Sequence, residues 1–379
     1  MVTIFVFSII ALYCLELVLF RRGLTVSSKI PVHPDYEPTV SVIIAARNEE
    51  DRILSCLQSL RSIAYPSDKL EILIVDDFST DRTADIVERF IGGRDDIRLL
   101  RSPPEKGNLR GKTNAIAQGI RNSRGEIIMF SDADCSVSAG WVRGTVKYFS
   151  DNTGIVGGFT ILASMRIYHG IQALDWLYLF GIASATAGLN IPLTAIGNNL
   201  SIRRSAYIET GGYEVIPFSV TEDYSLVQTI IQKTRYSMRF PLEPDAIVTS
   251  GACDSLSHLL RQKQRWGVGA LDMVPSGLLI VALGWLVRAV LVLGLILMPP
   301  TVSIAALCAV FLADYLFLSK VFDLLPFKHV RKYFLAFECY LTCYGLIIPF
   351  LALGSRNVIW KERTLRREKK NAFHEERHS

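Results

Sequence analysis

The chain has 379 residues, half of them hydrophobic, and a mean hydropathy of +0.29 that is high for a soluble protein; its length allows two to three domains. The formal charge is +5, but from Arg356 onward eight Lys/Arg face four Asp/Glu, so the surplus is mostly a tail. Such a tail after an apolar segment suits anionic lipid and argues against a nucleic-acid partner. The seven cysteines form no C-x-x-C and no zinc spacing and read as small buried hydrophobes in a reducing compartment.

Val2 to Phe20 is almost wholly apolar, close to the ~20 residues a bilayer-spanning helix needs. No basic residue precedes it and Arg21-Arg22 follow, so a membrane anchor over 1–22 is favoured over a cleaved signal. The positive-inside rule then places the following domain in the cytoplasm. Residues 23–38 hold three prolines and read as a linker.

A domain over 39–254 follows. Val40–Ala45, Leu70–Val75, Ile97–Leu100 and Glu126–Ser131 are short apolar runs, the pattern of strands buried on both faces. Helices are expected between them: one capped by Asn48 and running to about Ile63, one capped by Ser79 or Thr80 across Ala84–Phe90, and one over Lys112–Arg121. This alternation predicts a parallel sheet with right-handed crossovers. Gly154–Leu162 reads as one further strand. Ile167–Gly188 is a long aromatic-rich helix whose flanking Arg166, His169 and Asp175 favour an interfacial or groove-lining place. Thr221-Glu222-Asp223 opens a helix to about Lys233. An amphipathic helix over Leu256–Leu271 lies within an interface segment, 255–275.

Residues 277–354 are membrane-like. Gly277–Met298, Val302–Ser319 and Tyr333–Gly354 are each long enough to span, and Pro299-Pro300 marks a tight hairpin. Arg288 and Asp314 lie about three residues apart in depth when counted from that turn, roughly 4.5 Å at helical rise, and are expected to pair. Lys328, Arg331, Lys332 and the basic tail over 355–379 favour the cytoplasmic side. Four full spans starting outside would leave the tail outside, so one segment, with Tyr333–Gly354 the candidate, is expected to dip and return.

The chemistry concentrates where strands end in acids. Asp132 and Asp134 are two apart after an apolar run, so on an extended chain they converge at its carboxyl end, where open α/β sheets bind ligands. Two hard oxygen donors suit Mg²⁺ or Mn²⁺ carrying phosphates; an acidic strand-to-loop turn is the other reading. A second strand ends in Asp76-Asp77.

Val75-Asp76-Asp77, Asp132-Ala133-Asp134, Thr221-Glu222-Asp223 and Gln262-x-x-Arg265-Trp266 together resemble the D, DxD, TED and QxxRW signature of membrane-bound inverting glycosyltransferases of family 2. Cellulose, chitin and hyaluronan synthases belong there, and ceramide-glucosyltransferase-like enzymes are similar. Ala46-Arg47-Asn48-Glu49 resembles the start of the family domain. Gly197-Asn198 with Arg203-Arg204 resembles its acceptor-side loop, and Trp360-Lys361-Glu362-Arg363 a W-K-x-R of some bacterial members. The resemblance implies a GT-A (Rossmann-like) α/β domain that binds a nucleotide sugar, flanked by N- and C-terminal transmembrane helices. It implies Asp134 as metal ligand, with Asp132 beside the metal and donor sugar, and Asp76 at the ribose and base. Asp223 would be the general base, one carboxylate within reach of the acceptor hydroxyl; a helix N-terminal acid favoured by the dipole is the other reading. Arg47 and Lys112 are candidate phosphate or base neighbours, or solvated surface charges. Arg265 is a candidate diphosphate clamp, Gln262 an orienting group on the donor side, and Trp266 with Glu222 would lie on the acceptor side.

The expected activity is metal-assisted, inverting transfer from a nucleotide sugar to a membrane lipid, in a multi-pass membrane protein with a cytoplasmic catalytic domain; oligomers are possible. A processive polysaccharide synthase, with a partner or oligomer supplying the pore, is the alternative within this chemistry. A non-catalytic sugar-nucleotide sensor or scaffold is the alternative outside it, though a sensor needs no general base. A nucleotidyltransferase on a similar sheet is a third, against which the Gln262-x-x-Arg265-Trp266 helix and the membrane segments speak.

Overall fold

A computed structural model describes residues 2–93, 96–163, 166–354, 357–360 and 363–366. Lys361 and Glu362 of the W-K-x-R stretch, and the basic tail beyond Arg366, lie outside the described residues. Helix α1 (Val2–Ser27) runs past the expected boundary at Arg22. Strands β1 (Val40–Ala46), β2 (Leu70–Asp76), β3 (Ile97–Arg101) and β4 (Ile127–Asp132) alternate with helices α2 (Ile53–Arg61), α3 (Thr83–Ile91) and α4 (Lys112–Arg121). The apolar runs become strands because both of their faces are covered. Val42 and Ile44 of β1 share a core with Ile53, Leu57 and Leu60 of α2. Ile43 faces the other way, into the core that holds Ile116 and Ile120 of α4. β1 lies between β2 and β4 and is parallel to both. The register sets Ala46 beside Asp76 and Ala45 beside Asp132, so the two acidic strand ends flank the end of β1.

Neither helix after β1 and β2 is capped as expected. Asn48 has a φ of +49°; its Oδ1 accepts the N–H of Thr80 at 2.9 Å, and its own N–H donates to Ser79 Oγ at 3.1 Å. Helix α2 begins only at Ile53. In the second loop Asp81, not Ser79 or Thr80, accepts the Thr83 N–H at 2.9 Å. Both loops leave the same edge of adjacent parallel strands, and their polar side chains meet each other before reaching their own helices.

Strand β5 (Cys135–Val137) and helix α5 (Trp141–Val146) precede β6 (Thr153–Gly157) and β7 (Thr160–Leu162). The single strand expected over Gly154–Leu162 is therefore two. Asn199 splits it: the Gly158 N–H donates to the Asn199 carbonyl at 2.9 Å, and Asn199 Nδ2 donates to the Phe159 carbonyl at 2.8 Å. Helix α6 (Ile167–Gly188), β8 (Leu200–Arg203), α7 (Arg204–Glu209), α8 (Gly212–Val215), α9 (Glu222–Lys233), β9 (Ser237–Arg239) and β10 (Val248–Ser250) complete the domain. The main sheet has seven strands in the order β3-β2-β1-β4-β8-β6-β9. β8 runs antiparallel to β4 and to β6, so the sheet is mixed, not wholly parallel. A small sheet, β5-β10-β7, packs beside it.

After α10 (Leu256–Ala270) come α11 (Pro275–Leu297), α12 (Pro300–Leu324) and α13 (Phe334–Gly354), then a hairpin of β11 (Asn357–Trp360) and β12 (Arg363–Arg366). Thr3–Ser27, Pro275–Leu297, Pro300–Leu324 and Lys328–Gly354 are each long and apolar enough to cross a membrane. The expected pair forms, with Arg288 Nη2 2.7 Å from Asp314 Oδ2. Tyr13 and Tyr178 also donate to Asp314 Oδ1, at 2.6 and 2.7 Å, so one buried carboxylate ties α1, α6, α11 and α12 together. α1 and α6 touch backbone to backbone: a Cβ on Gly23 would sit 2.1 Å from the Ala185 carbonyl oxygen. α13 is a single helix with Pro349 inside it. Tyr333, just before it, lies against Gly170 of α6, and Ile348 and Ala352 near its end lie against Gly267 of α10.

Candidate active site

A cavity of about 830 Å³ opens at the carboxyl ends of β1 and β4 and continues down between the apolar helices. Its upper wall holds Arg47, Lys112, Asp132, Asp134, Glu222 and Asp223; its lower wall is made by stripes of α1, α6, α11 and α13. The expected acids thus meet, although about 90 residues of chain separate the DxD turn from α9.

Asp132 is the last residue of β4, and a turn follows it, so the extended-chain geometry expected for the pair stops there. Both carboxylates nevertheless reach the cavity. Lys112, the first residue of α4, places Nζ 2.6 Å from Asp132 Oδ1 and 3.2 Å from Glu222 Oε1. Burial alone would push its ammonium down, but Asp132 and then Glu222 hold it above its ordinary value. Lys112 is therefore a bridge between carboxylates rather than a solvated charge. Asp134 Oδ2 lies 3.6 Å from Arg52, a cation not anticipated from the sequence.

Asp223 stands in the first turn of α9. Its Oδ2 accepts the Gly197 N–H at 2.7 Å and its Oδ1 the Tyr224 N–H at 2.8 Å, which fixes the carboxylate toward the cavity. Burial, and then the neighbouring Glu222, push its pKa up to about 6, against the pull of Lys112 and the two N–H groups. A carboxylate with a pKa nearer neutrality is a better proton acceptor than an ordinary aspartate. The helix-terminal reading of Asp223 holds for its position, and the cavity gives that position a chemical use.

Gln262, Arg265 and Trp266 of α10 line the same cavity. Among the described residues Arg265 makes no hydrogen bond or ion pair, and Gln262 Oε1 is buried without a donor. Trp266 sets its ring 5.4 Å from that of Trp176. Lys263, between them in sequence, is buried, pairs with Asp175 of α6 and lies 4.4 Å over the Trp266 ring. That pair joins α10 to α6 and was not legible from either segment.

Three expectations are displaced. Asp76 does not line the cavity; it is buried at the end of β2, its Oδ2 accepting the Ser79 N–H at 3.4 Å and its Oδ1 without a donor among the described residues. Arg47 reaches the cavity, but its guanidinium is anchored by the Asp77 and Phe78 carbonyls at 2.6 and 2.8 Å. Arg203 and Arg204 do not line the cavity. Arg203 pairs with Glu126 at 2.5 Å and Arg204 donates to the Gly125 carbonyl at 2.6 Å, so both staple β8 to its surroundings. Gly197 and Asn198, by contrast, do line the cavity. Arg363 of β12 lies 2.8 Å from Asp77, which brings the C-terminal hairpin to the end of β2. Burial raises the Asp77 pKa, while Arg363 and Arg47 oppose that rise.

The sequence matches the model of glycosyl transferase family 2 over residues 41–211 and that of glycosyl transferase family group 2 over residues 127–352. The chain belongs to glycosyl transferase family group 2. Among curated relatives, it is 30% identical over 263 residues to the probable glycosyltransferase YdaM of Bacillus subtilis, covering 66% of this chain and 60% of that one. It is 28% identical over 242 residues to a beta-monoglucosyldiacylglycerol synthase of Synechocystis, covering 61% and 48%. It is 25% identical over 262 residues to a poly-beta-1,6-N-acetyl-D-glucosamine synthase of Staphylococcus epidermidis, covering 67% and 59%. The chain thus spans between about half and three fifths of the length of these relatives. Among solved structures, a mannosyltransferase from Pyrobaculum calidifontis, in complex with GDP-Man and Mn²⁺, superposes with a TM-score of 0.62 at 20% identity, covering 93% of this chain and 96% of that one. That likeness establishes the GT-A-like α/β fold with a mixed sheet.

Proposed function

We propose that the protein is a membrane-bound, inverting glycosyltransferase that moves a sugar from a nucleoside-diphosphate sugar to the hydroxyl of a lipid. The observation that carries this is the continuity of the cavity, from Asp132, Asp134 and Asp223 to the lower wall of membrane helices. A soluble acceptor needs only the upper half; an amphiphile uses both.

Two carboxylates and no third protein ligand among the described residues fit Mg²⁺ or Mn²⁺, which are commonly held by one or two carboxylates together with substrate phosphates and water. Asp134 and Asp132 would hold such an ion, which as a Lewis acid offsets the charge that builds on the leaving diphosphate. Asp223 takes the proton from the acceptor hydroxyl. That oxygen then attacks the anomeric carbon from the face opposite the diphosphate, and the bond from the anomeric carbon to the diphosphate oxygen breaks with inversion. Arg265 meets the diphosphate oxygens in a fork, and Trp266 offers a ring face to the acceptor side. Lys112 keeps Asp132 and Glu222 in place until substrate arrives.

The catalytic domain faces the cytoplasm, with Arg21, Arg22, Lys328, Arg331 and Lys332 on that side. The Arg363–Asp77 contact, which brings the strands after α13 to the end of β2, supports a segment that returns its tail to the same side. The test is full-length protein with a panel of nucleotide sugars, Mn²⁺ and extracted membrane lipids, read by mass spectrometry. The expected product is a lipid carrying one added sugar; a ladder of oligosaccharides, or no transfer to lipid with any donor, overturns the proposal.

A further inference from the structure

Lys263 lies in the middle of α10, between Gln262 and Trp266, and is 2% exposed. Its ammonium pairs with Asp175 of α6. The same Nζ stands 4.4 Å from the centre of the Trp266 ring and 4.9 Å from that of Tyr344 of α13. Tyr344 in turn stacks on Tyr340 at 5.5 Å, with the ring planes 3° apart, and the Tyr340 hydroxyl donates to Asp175 Oδ2 at 3.4 Å. One ammonium thus gathers a carboxylate from α6 and aromatic rings from α10 and α13. Trp266 and Tyr344 are half-buried and line the cavity, whereas Lys263 is enclosed behind them.

A buried ion pair is a poor fastener between two helices. Both ions lose their water, and an apolar pair of similar volume is often as stable or more so. What the ammonium adds is attraction to the face of an indole, which grows when the cation is desolvated. Trp266 is placed where that attraction has a use. Gly269 lies three residues further along the same side of α10 and is pressed against Thr221: a Cβ there would meet Thr221 Cγ2 at 2.3 Å. Thr221 precedes Asp223 by two residues, so Trp266 stands about one helical turn, roughly 5.4 Å along the axis, from the segment that carries the proposed base. An indole on an exposed helix face has several rotamers open to it; here the Trp176 ring meets it at 5.4 Å and the Lys263 ammonium covers its face. We infer that Lys263 is a positioning residue: its ammonium, fixed by Asp175, holds the Trp266 ring in the orientation that seats the acceptor beside Asp223. This rests on the proposed lipid acceptor. Lys263 touches no substrate and acts only through the ring.

The test replaces the pair and not one partner. Lys263→Met alone leaves Asp175 buried without its cation and destabilises the protein whatever Lys263 does. Lys263→Met/Asp175→Leu removes both charges and is expected to melt close to wild type. Full-length protein in detergent, labelled with fluorotryptophan, reports the ring by fluorine NMR, and Trp266→Phe identifies the Trp266 resonance. In the double variant that resonance is expected to shift and broaden. The half-saturating concentration of extracted membrane lipid is expected to rise about ten-fold, the size of a desolvated cation–π contact, while the nucleotide-sugar KM stays as in wild type. Lys263→Arg, which keeps a cation for Asp175 and for the ring, is expected to stay near wild type in both readouts. Should the double variant not fold, Lys263→Met/Asp175→Asn, which still accepts the Tyr340 hydroxyl, takes its place. An unchanged Trp266 resonance in the folded variant overturns the inference, and so does an unchanged lipid dependence; either leaves the pair a fastener between helices. A wild-type protein that transfers sugar to no lipid overturns the lipid-acceptor proposal instead, and the Trp266 resonance alone then decides whether Lys263 orients the ring.

Discussion

Replacing Asp223 with asparagine separates a catalytic carboxylate from a structural one, because activity and stability should move in opposite directions. As a general base, Asp223 contributes on the order of 10²- to 10⁴-fold to turnover, so Asp223→Asn should lose that much kcat while nucleotide-sugar affinity changes little. The wild-type rate should rise with pH through about 6, where the carboxylate deprotonates. Stability follows from the same shift. An acid whose pKa is raised on folding contributes stability that is complete below its unfolded pKa and lost as pH rises through the folded value. Here that window runs from about 4 to about 6, and the raised value comes from burial and Glu222. At 1.36 kcal/mol per unit, and allowing for screening at a carboxyl that is not fully buried, the folded state forfeits about 2 kcal/mol across that window. The asparagine variant has no such titration, so its stability relative to wild type should improve by about 2 kcal/mol between pH 4 and pH 8. Thermal melts and initial rates over that range, on the same samples, provide both readouts. Activity within ten-fold of wild type, or a wild-type rate flat through pH 6, would refute the assignment.

Three further predictions rest on the geometry. A Cβ on Gly284 would meet nothing within 4 Å, so Gly284→Phe should fill the lower cavity, cutting lipid transfer by more than about ten-fold while nucleotide-sugar KM and donor hydrolysis stay unchanged; unchanged lipid kinetics would count against an acceptor route along α11. Asp314→Asn strips Arg288 of its partner inside the apolar helices, where breaking a buried pair costs about 3–5 kcal/mol, so the variant should melt well below wild type; an unshifted melting curve would show that the cluster is not a clasp. Chelation should abolish transfer, and Mn²⁺ or Mg²⁺ should restore it to wild type but not to Asp134→Ala; full activity in excess chelator would remove the metal from Asp132 and Asp134.

The strands around β1 were legible because a continuous apolar run that ends in acids suits a buried parallel strand opening onto a site, and suits little else. Asp223 was legible as the acid of a resembling motif, but its raised pKa was not, since that depends on how deeply the fold buries it and on where Lys112 of α4 comes to rest. What stayed hidden was set by partners distant in the chain. Leu200–Arg203 is a strand only because β4 and β6 lie ready on either side, and four residues carry no period of their own. Asn48 and Ser79 look like caps in isolation, yet the neighbouring loop outcompetes their own helices. Arg203 and Arg204 carry charge that a motif assigns to substrate, while the fold uses it on Glu126 and the Gly125 carbonyl. The Arg288–Asp314 pair was legible because a hairpin with a Pro-Pro turn fixes depth by counting, whereas Asp175 and Lys263 sit on segments with no such ruler.

A structure of the full-length protein with Mn²⁺ and the product nucleoside diphosphate would bear most directly on the active site. The diphosphate should lie between Asp134 and Arg265, with the metal on the Asp132–Asp134 side and Asp223 across the sugar position from the leaving oxygen. A diphosphate bound away from these residues, or Asp223 on the leaving-group side, would contradict it.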